Sequence, residues 1–199
     1  MNVEAQYNSL PMSVVACHEA GHAAVAHHLG GQVHLLIFGR NRSGRAFARV
    51  SYSVSDLHRY KLVLSAGMLA VFLNDQALLG GDASWGALWR WVNTETGYVR
   101  AISGASDWIE ILRCSNERPA QGITEFLDRA VRPYFDETVA ALRDCESQAS
   151  RLRQLILSRR HGLGPRSLKR FFAGESAAWD DWLDWPRVRV ATALQAMRG

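Results

Sequence analysis

The sequence predicts a mainly helical α+β domain, and three observations lead to this fold class. Long segments carry apolar residues at helical spacing, above all from Asp56 to about Leu79 and from about Ala120 to Ser158. Only two neighbouring segments, residues 32–40 and 45–54, are β-prone. Hydrophobic residues make up 48% of the 199 residues, which suffices for one packed core.

The first predicted helix begins at Ser13, a suitable N-cap, and ends before Gly30 and Gly31. Gly21 lies in its middle, where glycine costs about 1 kcal/mol relative to alanine. Something other than helix stability therefore requires a glycine there, and the close approach of another backbone is one such reason.

This helix contains the stretch HEAGH, residues 18–22. His18 and His22 are four residues apart, so they lie on one helix face and could bind one ion. Neutral imidazole suits zinc, which lowers the pKa of bound water and polarises a carbonyl group. Glu19 lies about 100° further round the helix and could take a proton from that water. The alternative is that both histidines are ordinary core residues with satisfied hydrogen bonds.

The two β-prone segments are joined by NRSG, residues 41–44, which is suitable for the turn of an antiparallel hairpin. The apolar segment from Asp56 to about Leu79 predicts a buried helix packed on the first one. Residues 80–106 are rich in Gly, Ser and Trp, and we expect one short helix there, around residues 83–92.

The remainder of the chain is predicted to be a helical bundle. We expect a short helix from Asp107 to Cys114, capped by Ser103 or Ser106. One long helix or two should follow, with Pro133 as a kink or a boundary. Residues 1–175 are assigned to the domain. The Trp-rich segment 176–199 is either a docking tail or, as we expect, packs back on the domain.

Charge and cysteine content limit the class of protein. The net charge is +4, but the basic residues are scattered, so nucleic acid is not an expected partner. Three cysteines without CxxC spacing indicate neither a disulfide framework nor a sulfur-ligated zinc, and a reducing cytoplasm fits best. Cys17 is expected to be a small buried side chain. No membrane span or secretory signal is predicted.

A catalytic zinc site needs a third protein ligand. The segment SGASDWIEI, residues 103–111, offers Asp107 in the first turn of a short helix, where the helix dipole favours a carboxylate. Glu110, one turn further on, is the reserve candidate. The other candidates are His27, His28, His34, His58, Asp56, Asp82 and Glu95.

The order of these features resembles the zinc peptidase domain of the FtsH family of membrane-anchored, ATP-dependent proteases. HEAGHA, a hairpin, an apolar helix and SGASD follow one another as in that family, over about residues 11–172. The resemblance implies that His18, His22 and Asp107 bind Zn²⁺ and that Glu19 is the base. The family usually has one more residue between the serine and the aspartate, and a leucine where this chain has Trp108.

The resemblance also implies a substrate site. Ala46, Phe47, Ala48, Arg49 and Val50 would form an edge strand that holds an extended peptide by main-chain pairing, although a purely structural strand is equally open. The sequence has no GxxxxGK[ST] loop, which predicts a free-standing peptidase that acts without ATP. Such an enzyme would cleave flexible segments or depend on a separate partner that presents the substrate.

Three functions follow from the sequence. The first is a zinc-dependent metalloendopeptidase, located in the cytoplasm and acting on peptides or proteins. The second is a catalytically silent, zinc-stabilised binding or regulatory module, which the intact Glu19 argues against. The third, ranked last, is a nucleic-acid-associated protein that uses its basic helix ends.

Overall fold

The computed structural model of the chain describes residues 10–40, 46–102, 104–158 and 162–174. These residues are mostly helical and include one two-stranded antiparallel sheet, so the predicted α+β class is confirmed. Residues 176–199 lie outside the described residues, and both the domain boundary and the packing of that segment stay predictions. The elements in chain order are α1 (Met12–His28), β1 (Gln32–Arg40), β2 (Ala46–Ser53), α2 (Leu57–Leu79), α3 (Trp85–Val92), α4 (Glu95–Ile102), α5 (Ala105–Cys114), α6 (Ile123–Phe126), α7 (Phe135–Asp144), α8 (Glu146–Ser158) and α9 (Pro165–Phe172).

Helices α1 and α2 form the centre of the fold and pack on each other, as predicted. Most residues of α1 are buried, because α2, α7, α8 and the hairpin cover different sides of it. Helix α2 begins after Asp56, whose Oδ1 accepts a hydrogen bond from the backbone N–H of Arg59 at 2.9 Å. It ends before Gly80, which has a φ of 108°.

The contact between α1 and α2 depends on small residues. A Cβ placed on Gly21 would lie 2.6 Å from the Cβ of Ala70 and 2.7 Å from the carbonyl oxygen of Ala66. Both distances are far below van der Waals contact, so only glycine fits at this position. The prediction that another backbone approaches Gly21 is confirmed.

The hairpin lies beside α1 with one edge covered. Strands β1 and β2 pair in an antiparallel register in which Leu36 is opposite Val50, with an irregularity between Val33 and Leu35. Leu163 covers the other edge of β1, because its backbone exchanges two hydrogen bonds with that of Leu36. The predicted turn at residues 41–44 lies outside the described residues.

Two of the predicted helix caps are wrong. Helix α1 begins at Met12, and the residue before it is Pro11, whose carbonyl accepts from the N–H groups of Val14 and Val15. Because the Pro11 carbonyl accepts the first helical hydrogen bonds, Pro11 is the N-cap and Ser13 lies inside the first turn. Ser106 likewise lies inside α5, which follows Gly104. Ser103 lies outside the described residues.

The middle of the chain contains one helix that the sequence analysis missed. Helix α4 occupies part of the segment that was expected to be irregular. Thr94 starts it locally, because its Oγ1 accepts from the backbone N–H of Gly97 at 3.0 Å. The predicted boundary at Pro133 is confirmed: α6 continues through a π-helical turn, Leu127–Val131, into a 3-10 turn, Arg132–Tyr134, before α7 begins.

Helix α2 is long and apolar. Among the described helices it alone has the length and composition that would suffice for a membrane span, with a mean hydropathy of 1.6 over its most apolar stretch. In the fold, 67% of that stretch is buried against other parts of the protein. Buried core helices meet the same criteria, so the absence of a membrane span stays a prediction.

The contact at Gly21 predicts a stability change. Gly21→Ala should lower the free energy of unfolding by about 1–2 kcal/mol, because overpacking outweighs the gain in helix propensity. Gly86→Ala in α3 is the matched control, since a Cβ there approaches no neighbour closer than 3.6 Å. That variant should be neutral or more stable by up to about 1 kcal/mol. Denaturant unfolding measures both, and equal effects of the two substitutions would contradict the close contact.

Candidate metal centre

The two histidines of the HEAGH stretch lie on one buried face of α1. Only 9% of His18 and 4% of His22 is exposed. Their Nε2 atoms are 3.0 Å apart, and the rings meet edge to face with centroids separated by 4.6 Å. The helical spacing therefore brings the two ring nitrogens together, as predicted.

Asp107 reaches the same point from α5. Its Oδ2 lies 3.0 Å from Nε2 of His18 and 3.2 Å from Nε2 of His22. Asp107 is in the first turn of α5, where the helix dipole stabilises a carboxylate. Trp108, the next residue, is 1% exposed and fixes α5 in the core. The structure thus brings together the three residues predicted as ligands.

Glu110, the reserve candidate, is turned away from the histidines. Its carboxylate accepts hydrogen bonds from Nε and Nη2 of Arg113, at 2.8 and 2.6 Å, and from the thiol of Cys114. These hydrogen bonds lower the pKa of Glu110. The aspartate is therefore the better third ligand.

The other candidates have local partners away from this cluster. Among the described residues, His18, His22 and Asp107 form the group of histidine, cysteine and acidic side chains close enough to hold an ion. His27 stacks on Phe172, His28 faces Asp144, His34 bonds to Ser53, His58 bonds to Glu137, Asp56 caps α2 and Asp82 pairs with Arg90.

The donor atoms have a spacing that fits a small cation. In a tetrahedral zinc site with bonds of about 2.0–2.1 Å, the ligand atoms are about 3.3 Å apart. The three observed separations are 3.0, 3.0 and 3.2 Å. Two imidazole nitrogens and one carboxylate oxygen are also a donor set that zinc accepts.

The tautomer of His22 is fixed by α2. Its Nδ1 donates a hydrogen bond to the carbonyl oxygen of Val63 at 2.6 Å, so the lone pair of the neutral ring lies on Nε2, which faces the cluster. The Nδ1 of His18 is buried without a hydrogen-bond partner among the described residues. The ring of His18 is therefore less firmly oriented than the ring of His22.

Gly67 of α2 faces the two rings, and the sequence analysis did not single it out. A Cβ at this position would lie 2.6 Å from Nε2 of His18 and closer still to Nε2 of His22. The space beside the ring nitrogens is therefore open only because residue 67 is glycine. Its signal in the sequence was the same as that of Gly21, a glycine inside a helix.

The cluster is electrostatically coupled. Burial lowers the pKa of His22, but the carboxylate of Asp107 outweighs this effect and raises the pKa to about 9. Burial would raise the pKa of Asp107, yet the charge on His22 and the hydrogen bonds from both rings hold that pKa well below its ordinary value. Without a bound cation, one proton therefore stays on the cluster at neutral pH.

Glu19 is not part of the ligand cluster. Its half-buried carboxylate points to the hairpin, where Oε2 accepts a hydrogen bond from the backbone N–H of Val50 at 2.8 Å. The predicted peptide-holding strand, Ala46–Val50, therefore lies beside the helix that carries the histidines. Within it, Ala48 and Val50 are half-buried, whereas Arg49 is exposed.

Tyr52 also lies at the cluster. Its ring stacks on His22 with centroids 6.3 Å apart, and Tyr60 lies behind it. Burial raises the pKa of the Tyr52 hydroxyl above its ordinary value, and the carboxylates of Asp107 and Glu19 add to this effect. Nothing in the described part of the chain accepts a hydrogen bond from this hydroxyl. Tyr52 is thus a neutral donor close to the predicted ligands and base.

Cys17 takes no part in the cluster. Its thiol points to the carbonyl oxygen of Ala70 at 3.4 Å, on the contact between α1 and α2. Burial raises the pKa of this thiol to about 11, so the group is unreactive at neutral pH. The expectation of a small buried side chain is confirmed.

Comparisons of the chain with known protein families and with curated proteins found no match.

Proposed function

We propose that this protein is a zinc-dependent metalloendopeptidase. The observation that carries the proposal is the convergence of His18, His22 and Asp107 beside the helix that also bears Glu19. Three protein ligands leave one coordination position free, which is typical of catalytic zinc. A glutamate directly after the first histidine supplies the general base that peptide hydrolysis needs.

Each residue has a role in the proposed reaction. A bound zinc ion would polarise the peptide carbonyl and lower the pKa of water. Glu19 accepts a proton as water attacks the carbonyl carbon, and it returns a proton to the leaving amine. The hydrogen bond from the N–H of Val50 orients its carboxylate. The hydroxyl of Tyr52 can donate to the oxygen that becomes negative in the transition state.

The substrate in this proposal is an extended segment of a peptide or protein. It would pair with the main chain of Ala46–Val50 on the edge of β2 that does not pair with β1, where the N–H of Val50 already bonds to Glu19. Only a flexible segment can adopt that conformation without prior unfolding. The enzyme would therefore act without ATP on flexible chains, or on substrates that a separate partner presents. Its proposed location is the cytoplasm.

One observation favours the alternative, a catalytically silent module stabilised by zinc. The carboxylate of Glu19 bonds to the backbone of Val50 and so ties the hairpin to α1. This contact gives Glu19 a structural role that needs no catalysis.

The first prediction concerns metal content. The purified protein should contain about one zinc per chain, and both His22→Ala and Asp107→Asn should lose it because two ligands bind zinc far more weakly than three. Gly67→Ala should also lose zinc, since its Cβ would displace the ring nitrogens. Elemental analysis of folded samples measures these contents.

Glu110→Gln is the matched control, because it changes a carboxylate on the same helix that bonds to Arg113 instead of the histidines. It should keep its zinc. A wild-type protein without zinc, or zinc retained in Asp107→Asn, would show that the assigned site is wrong.

The second prediction concerns the base. Glu19→Gln should keep zinc but lose at least about 100-fold in the rate of casein cleavage, because glutamine cannot accept the proton. Glu117→Gln, a carboxylate bonded to Arg129 away from the cluster, should cleave at the wild-type rate. A zinc-loaded wild type that cleaves no unstructured protein would support the silent module instead.

The third prediction concerns Tyr52. Tyr52→Phe should lower kcat by about 100-fold or more with little change in KM, because the lost hydroxyl would act only in the transition state. Its zinc content should be unchanged. Tyr98→Phe, at an exposed position on α4, is the control and should have no effect. An unchanged kcat in Tyr52→Phe would remove Tyr52 from the mechanism.

A further inference from the structure

A second concave site lies away from the metal cluster. A half-open cavity of about 350 Å³ lies between α1, α2, α7 and α8, and neither His18, His22 nor Asp107 lines it. This volume is within the range of small-molecule sites, which begins at about 300 Å³. The cavity is therefore large enough for a ligand of its own.

The walls of this cavity are mainly apolar and include several small side chains, beside the polar side chains of Asn74, Gln76 and Ser150. Ala20 comes from α1, Ala70 and Leu73 from α2, Leu142 from α7 and Ala149 from α8. Protein interiors are normally filled to the density of organic crystals, and larger side chains at the alanine positions would close this space. The apolar walls suit an alkyl chain.

One side chain gives the cavity a charge that is not neutralised. Arg153 of α8 lines it, and its Nη1 donates to Oδ1 of Asn74. The Nε of Arg153 is buried without a hydrogen-bond partner, and among the described residues no carboxylate lies within 4.0 Å of the guanidinium. A guanidinium has five donors, and leaving them unpaired away from water costs free energy.

The charges at the rim do not supply the missing acceptor. Arg143 and Glu146 also line the cavity, but both are exposed and of opposite sign. Their charges offset each other, so Arg153 leaves the cavity with one net positive charge. A carboxylate matches a guanidinium in charge.

From these observations we infer that the cavity binds a small amphipathic carboxylate, with its acid group on Arg153 and its alkyl part among the alanines. The inference does not depend on the proposed peptidase function, because no residue of the metal cluster takes part. The ligand would nevertheless contact α1 at Cys17 and Ala20, on either side of His18 and Glu19 in the sequence.

Octanoate is the probe, and octanol of the same chain length is the neutral control. In the full-length protein with ¹³C-labelled alanine methyl groups, octanoate should shift the signals of Ala20, Ala70 and Ala149 and saturate below about 1 mM. The signals of Ala101 and Ala130, which lie in the core away from the cavity, should not move. Octanol should bind at least about tenfold more weakly, because it cannot pair with the guanidinium charge.

Three variants test the position of the ligand. Arg153→Gln should weaken octanoate binding by about ten- to a hundredfold and leave octanol binding unchanged. Arg151→Gln, two residues earlier on the same helix and exposed, should bind octanoate as the wild type does. Ala149→Leu should abolish binding of both probes, because the larger side chain fills the cavity.

Three results would overturn the inference. They are the absence of octanoate binding at the cavity methyl groups, equal affinities for octanoate and octanol in the wild type, and equal octanoate affinities of the Arg153→Gln and Arg151→Gln variants. The comparison of octanoate with octanol uses only the wild type, so it stands even if Arg153→Gln does not fold.

Discussion

The close packing of α1 against α2 is the constraint on which the rest of the structure depends. Gly21 lets the backbones approach at Ala66 and Ala70, and Gly67 leaves room for the two imidazole rings. The same interface supplies the carbonyl of Val63 that orients His22. The contact between α1 and α2 therefore both packs the core and positions the histidines of the cluster. A methyl group at either glycine would disturb both.

A buried group of two imidazoles and a carboxylate is expensive in an otherwise apolar core. The cost is offset where the charges meet, because Asp107 and His22 shift each other's pKa towards the charged forms. Trp108 holds α5 in the core and so fixes Asp107 at the rings. Trp108, the residue directly after the acid, thus has a clear role in positioning it.

Glu19 is where structure and proposed chemistry compete. Its hydrogen bond with the N–H of Val50 joins α1 to the hairpin, and the same carboxylate would have to accept a proton during peptide hydrolysis. The hairpin therefore influences the proposed reaction through its backbone as well as through any pairing with substrate.

The sequence by itself determined the features that depend on local spacing. The helical period placed His18 beside His22, and the cost of glycine in a helix pointed to a close contact at Gly21. β-Propensity located the two strands. The sequence analysis missed the N-cap at Pro11 and helix α4. The preferences of single residues for caps and for short helices are weak, so the surrounding structure can override them.

Only the tertiary structure placed Asp107, and not Glu110, beside the imidazole rings, since both lie on one helix and its rotation turns the aspartate towards them. It also decided that Gly67 faces the rings and that Arg153 lacks a carboxylate partner among the described residues. The contacts of Asp107 with His18, of His22 with Val63 and of Arg153 with Asn74 join residues 41 to 89 positions apart in the chain. Such contacts depend on how whole helices pack, which local sequence patterns do not specify.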